Sequence, residues 1–186
     1  MALVLMSMSL AAAAPPPPPP LPEVTVASRE GLYRVTATFR VSQPASVAFA
    51  VLTDYEQIPR FMPDVRKSQI LERRDQTVVV DQEAVARVML FSKRVHLVLE
   101  IEETPHEIRF RDRAGQSFSH YEGAWTLSEH AGQVDIGYAL TAKPTFDVPE
   151  FLLTRLLKRD AQTMIERLRG EIARRATDLP NLPNTR

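Results

Sequence analysis

From Gly31 to Val41 apolar and polar residues alternate, with Tyr33, Val35, Ala37, Phe39 and Val41 on one side and Arg34, Thr36, Thr38 and Arg40 on the other. Period two predicts a half-buried strand. Ser42 and Gln43-Pro44 offer a helix start, after which Val47, Ala48, Val51 and Leu52 fall at helical spacing. The helix runs into LTDYEQIPRFMPDV, Leu52 to Val65, where Pro59 and Pro63 interrupt the pattern. A proline within a helical pattern ends or kinks it, so two short helical pieces meeting at an angle are predicted here, with something apolar beneath the bend.

Strand-like segments follow, divided by turn signals: Arg66 to Glu72, Gln76 to Phe91, Lys93 to Glu103, His106 to Asp112, Gln116 to Glu129 and a last one after Gly132. Their apolar faces include Val78 and Val80, then Val95, Leu97, Leu99 and Ile101, then Tyr121, Trp125 and Leu127, then Val134, Ile136, Tyr138 and Leu140. Seven strands in all, with no helix between the last six, predict an α+β chain with an antiparallel sheet covered on one face. The cover is Val148 to Ala176, where Phe151, Leu152, Leu153, Leu156, Leu157, Ala161, Met164, Ile165, Leu168 and Ile172 recur at three- and four-residue steps. At 1.5 Å per residue this helix is roughly 40 Å long, enough to cross a sheet. Its first two turns are apolar nearly all round, which predicts burial on more than one side.

The ends read differently. Met1 to Ala14 is an apolar run too short to span a bilayer and of the length of a secretory signal core, although no basic residue precedes it. Pro15 to Pro20 make a stiff spacer. The expected division is therefore a leader and Pro-rich linker over 1–22, one domain over 23–176 and a loose tail over 177–186, with a periplasmic or secreted location; a plain disordered tail and a cytoplasmic location are the alternative.

Composition narrows the chemistry. Among 186 residues, Lys plus Arg and Asp plus Glu both total 23, so charge gives no reason to expect a nucleic-acid partner. There is no cysteine, which removes disulfides, thiolate nucleophiles and cysteine metal sites. His96, His106, His120 and His130 show no metal-type spacing, and no nucleophile-base pair can be read from the order. No catalytic residue, metal or cofactor is expected. Glu102-Glu103 reads as a solvated strand end, and Asp54 as a residue favouring the positive end of the second helical piece. Tyr121, Trp125 and Tyr138 each carry a donor that needs a partner when buried, found either locally or on a carbonyl-bearing ligand. Gln82, Ala84, Ala86, Gly123, Ala124 and Gly137 put small or polar residues into strands otherwise built of large ones, which leaves volume unless bulky neighbours fill it. The basic excess of the long helix, from Arg155 to Arg175, reads as a solvated face or as a surface for transient contact with anionic lipid headgroups.

The order strand, two short helices, six antiparallel strands and long C-terminal helix resembles the helix-grip fold of the START-like superfamily, which includes polyketide cyclases, plant allergens and lipid-transfer domains. LTDYEQIPRFMPDV, with its Asp-Tyr pair, Pro-aromatic step and second Pro, and SHYEGAWTLSEH, with its Gly-x-Trp step, are similar to segments of the coenzyme-Q-binding branch. The resemblance spans about Gly31 to Arg175. It implies a seven-stranded curved sheet wrapped around the long helix, a cavity between them, and the bent segment as its lid. The implied lining is Phe61, Met62, Val88, Leu97, Leu99, Phe110, Tyr121, Trp125, Tyr138, Phe151, Leu156 and Ala161. The implied function is binding or transport of a hydrophobic small molecule, a lipid or an isoprenoid quinone. The alternatives are a cyclase or dehydratase, or a ribosome-associated toxin-like protein as in one bacterial arm of that branch.

Overall fold

The computed structural model describes residues 22–88 and 91–178, with the side chains of Val88 and Phe91 excepted. The expected leader and its proline spacer lie outside the described residues. Eight strands form one antiparallel sheet in the order β1-β2-β8-β7-β6-β5-β4-β3. They are β1 Glu23–Arg29, β2 Leu32–Val41, β3 Val65–Arg74, β4 Thr77–Val88, β5 Phe91–Thr104, β6 Glu107–Asp112, β7 Phe118–His130 and β8 Gln133–Pro144. The α-helices are α1 Ala45–Leu52, α2 Ile58–Phe61 and α3 Glu150–Asp178. α3 lies along the concave face and continues two residues into the expected tail.

The sheet holds one strand more than the sequence predicted. Gly31 does not open a strand; with Glu30 it forms the turn between β1 and β2, both residues having positive φ, 53° and 76°. Two-residue turns of that geometry match the twist of an antiparallel hairpin, and only glycine adopts the second position freely. β1 therefore pairs with β2 from Glu23↔Thr38 to Arg29↔Leu32. Ala131-Gly132 closes the β7-β8 hairpin in the same way.

The concave face carries the core. β2 alternates buried and exposed along its whole length, and Val134, Ile136, Tyr138, Leu140 and Ala142 of β8 lie beside it. Ile165 and Ile172 of α3 are fully buried against this face, with Leu168 between them and Ala161 one turn before. A smaller cluster joins Tyr33 to Leu153 and Leu156 at the helix start. The expectation that the first two turns of α3 are enclosed on all sides fails at Phe151, which is 77% exposed. Phe151 lies on the outer side of the first turn, while Leu153 and Leu156 take the side facing the sheet.

The bent segment is a chain of three short pieces rather than two. α1 ends where the Thr53 amide and hydroxyl both donate to the Phe49 carbonyl, at 3.0 and 2.9 Å. A 3-10 turn, Tyr55–Gln57, leads into α2. Pro59 does not break the helix but sits in the first turn of α2, where a missing N–H costs nothing. Pro63 then occupies a turn closed by the Val65 amide on the Met62 carbonyl, 2.9 Å. Asp54 does not serve as a side-chain cap; its carboxylate meets the Arg175 guanidinium near the end of α3 at 2.7 Å.

Candidate functional site

Sheet, bent segment and α3 enclose a cavity of about 670 Å³. Its walls are Leu99, Ile101, Ile108, Phe110, Tyr121, Trp125 and Tyr138 from the sheet, Tyr55, Ile58, Phe61 and Met62 from the lid, and Thr163, Met164 and Leu168 from α3. Val51, Leu52, Val65, Gln82 and Val85 also line it, and Asp64, Arg87, Arg159, Asp160 and Arg167 add a group of charges. Because the side chains of Arg87 and Arg159 are 59% and 63% exposed, this charged group marks the mouth.

Seven of the residues expected at the site line this chamber: Phe61, Met62, Leu99, Phe110, Tyr121, Trp125 and Tyr138. Leu97 and Ala161 do not; they are buried in the main core among the protein's own side chains. Leu156 packs instead with Tyr33 and Leu153, and Phe151 points to solvent. The side chain of Val88 lies outside the described residues.

The small-residue argument holds only in part. Gln82 lines the cavity, and Ala84 and Ala86 pack against the core. Gly137, however, pairs with Thr126 on the convex face, where a Cβ would stand 2.5 Å from the threonine hydroxyl. Ala124 pairs with Ala139 on that same face. Gly123 does face the chamber, but the Phe110 ring occupies the space over it, with Cζ 2.5 Å from where a Cβ would sit. The chamber survives because the lid arches over the sheet.

An aromatic shelf runs along the sheet wall. Trp125 and Tyr138 are paired residues on β7 and β8, with ring centroids 4.4 Å apart. Phe110 lies 6.5 Å from Tyr138 and 6.0 Å from Tyr121, and Phe118 lies 4.9 Å from Tyr121. Contrary to one expectation, these donors have no local partners: among the described residues the hydroxyls of Tyr121 and Tyr138 and the Trp125 indole make no hydrogen bond. Burial, with a smaller contribution from Asp112, pushes the Tyr121 phenol up to about 12. Burial raises Tyr138 well above its ordinary value, and neighbouring Tyr121 adds to it. Both are therefore neutral donors near neutral pH, facing an otherwise apolar space.

The lid is pinned from two sides. The Tyr55 hydroxyl donates to Glu103 Oε1 at 2.8 Å, and Arg73 holds the other carboxylate oxygen at 3.1 Å. Burial first, then the Glu103 charge, raises the Tyr55 phenol. Glu103 is thus not a solvated strand end. The Asp54–Arg175 pair fastens the other side, and Arg175 also donates to Glu171 at 2.7 Å.

The mouth was missed in the sequence. Two aspartates and three arginines, none of them among the residues expected at the site, gather there. Arg87 binds Asp64 at 2.5 Å, Arg159 binds Asp160 at 3.0 Å, and Arg167 lies 3.8 Å from Asp64. Asp160 sits over the apolar chamber, and the lost hydration raises its carboxyl, with Asp64 adding to the effect against Arg159. On α3, Asp160, Thr163 and Arg167 follow helical spacing and so share a side, a signal available in the sequence. What the sequence could not give was that this side overhangs the cavity.

No histidine lines the cavity. His96 bridges Gln116 at 3.0 Å and Asp81 at 2.6 Å, and those two contacts, Gln116 first, raise its imidazole. His120 faces Glu122 at 3.3 Å, while His106 and His130 are exposed. Among the described residues no group of His, Asp or Glu converges to hold a metal ion, and no helix is long and apolar enough to cross a membrane.

Solved structures share this architecture. A Thermus thermophilus protein aligns with TM-score 0.66 and 20% identity, over 76% of this chain and 98% of that one. The Zhui aromatase/cyclase of Streptomyces sp. R1128 gives 0.66 and 18%, over 77% and 95%. A STAR-related lipid transfer protein fragment of Xanthomonas axonopodis gives 0.59 and 20%, over 81% and 98%. At these identities the likeness concerns the fold. No curated protein sequence matches the chain. A family model does match, over residues 41–169, from the end of β2 through most of α3 and so across the lid, the aromatic shelf and the mouth. The chain belongs to the polyketide cyclase / dehydrase and lipid transport family, with a START-like fold.

Proposed function

We propose that the protein encloses a hydrophobic small molecule, a lipid or an isoprenoid quinone, between sheet, lid and α3. The observation that carries this reading is the apolar chamber of about 670 Å³, in the size range, roughly 300–1,000 Å³, of small-molecule sites. Each methylene moved from water into it contributes about 0.8 kcal/mol. The phenols of Tyr121 and Tyr138, which line the chamber, give an oxygen-bearing ligand a fixed contact. The family description spans both lipid transport and cyclisation, and the carrier role is the reading favoured here. Native mass spectrometry of freshly purified protein tests it: a co-purifying hydrophobic molecule, reduced by Trp125→Ala and Phe61→Ala, is expected. Indifference of binding to both substitutions would reject the chamber as the site.

One observation favours a second reading. Asp160, its carboxyl raised by lost hydration, stands at the mouth beside Arg159 and offers an acid-base group for a cyclase or dehydratase. Turnover of an aromatic polyketide, abolished by Asp160→Asn, would establish it; no turnover of any such substrate would leave binding as the function.

A further inference from the structure

The charges at the mouth do not balance. Arg87, Arg159 and Arg167 face Asp64 and Asp160, a surplus of one positive charge above an apolar space. Asp160 is taken by Arg159, and Asp64 Oδ1 by Arg87 at 2.5 Å. Arg167 is left with Asp64 Oδ2 at 3.8 Å, beyond hydrogen-bond reach. Its side chain is only 33% exposed, and its donors are largely unused. A guanidinium carries five N–H donors in a planar fork that matches the two oxygens of a carboxylate or phosphate. Thr163 lies one turn earlier on the same side of α3 and lines the same cavity; among the described residues its hydroxyl has no hydrogen-bond partner. Met164 and Leu168, beside them, give way at once to the apolar interior.

We infer that Arg167, with Thr163, is the head-group site for an acidic amphiphile, whose carboxylate or phosphate monoester stays at the mouth while its hydrocarbon lies against Phe61, Met62 and Trp125. This rests on the binding role proposed above and narrows it, selecting an acidic lipid over a neutral quinone. Asp64 Oδ2 stands 3.8 Å from Arg167 and makes no hydrogen bond with it, so a ligand anion adds a bond and displaces none. Because the site is partly screened by solvent, the preference for acid over neutral head is about tenfold, the lower end for a charge-assisted hydrogen bond.

The test is displacement of Nile red, a neutral dye, by dodecanoic acid, dodecyl phosphate and 1-dodecanol near neutral pH. The two acids are expected to displace it at concentrations about tenfold lower than the alcohol. Arg167→Gln should erase that advantage, weakening the two acids about tenfold more than the alcohol. Arg167→Lys should restore part of it, and Arg155→Gln, on exposed α3 outside the cavity, should leave it intact. The order of the two acids tells whether a free carboxylate or a phosphate head is preferred. Equal competition by acid and alcohol, or equal weakening of all three by Arg167→Gln, overturns the head-group assignment while leaving hydrophobic binding standing. Failure of Nile red to bind the unaltered protein, with no displaceable probe, overturns the binding role itself.

Discussion

Gly123→Ala tests whether the aromatic shelf and the sheet beneath it are as tightly fitted as the distances say. The new methyl carbon would stand 2.3 Å from the Ala139 carbonyl oxygen and 2.5 and 2.9 Å from Cζ and Cε2 of Phe110. Non-bonded carbons rest about 3.5–4.0 Å apart, so the ring must retreat by about 1 Å. It moves toward Tyr138 and Tyr121, that is, into the chamber. The carbonyl cannot rotate away as a side chain can; β7 and β8 must separate locally. Overpacking of this kind costs about 1–3 kcal/mol, and the backbone clash puts the value near the top of that range. For a domain of this size each kcal/mol lowers Tm by about 2–4 °C, giving a loss on the order of 10 °C. Thermal unfolding followed by circular dichroism, with urea titration for the free energy, measures it. Adding Phe110→Leu should recover part of the loss, because it relieves the ring contact and not the carbonyl one, and so the two changes should be non-additive. A Tm within about 1 °C of the unaltered protein would refute the close packing inferred here.

Two further outcomes are expected. Glu171 is held down to about 2, first by its hydrogen bonds from Arg174 and also by Arg175, from an ordinary value of 4.5. Its folded value is below its unfolded one, so its contribution is complete above pH 4.5 and is lost as pH falls toward 2. Glu171→Gln should therefore flatten the acid limb of stability in urea titrations across that window, and an unchanged limb would contradict the pairing. Tyr55→Phe removes the phenol from Glu103 at a cost of about 1.5–3 kcal/mol, the range for a hydrogen bond to a charged group. Hydrogen exchange should quicken over 55–61 more than in the β8 core; equal protection would mean that this bond does not hold the lid.

The parts of the fold that were legible in the sequence are those whose signal is local. The strict alternation of β2 and the apolar steps of α3 each express one buried face, and each was placed within a few residues. β1 was not, because Val24 and Val26 alone make a weak pattern and its partner is found only through the Glu30-Gly31 turn. The site was half legible for the same reason. Phe110, Tyr121, Trp125 and Tyr138 could be assigned to one strand face each, Phe61 came through the resemblance alone, and all five line the chamber. Leu97, Leu156 and Ala161 have the same parity or spacing and are covered by other side chains, a distinction made by how far α3 and the lid reach along the sheet. Asp54 with Arg175, and Arg167 with Asp64, are partnerships between the lid region and α3 that no short-range pattern encodes.

The neighbour of β2 in the sheet is β8, with Val41 against Val134 and Tyr33 against Ala142. The first hairpin of the domain therefore cannot complete its ladder until the last strand has left the ribosome, and α3 must follow before either is covered. Pairing between segments so distant in the chain is slow, since loop closure must precede the contacts that reward it. The nascent β1-β2 ribbon, with Val35 and Phe39 bare, is thus the segment a chaperone would meet first, and the one whose premature association would lead to aggregation.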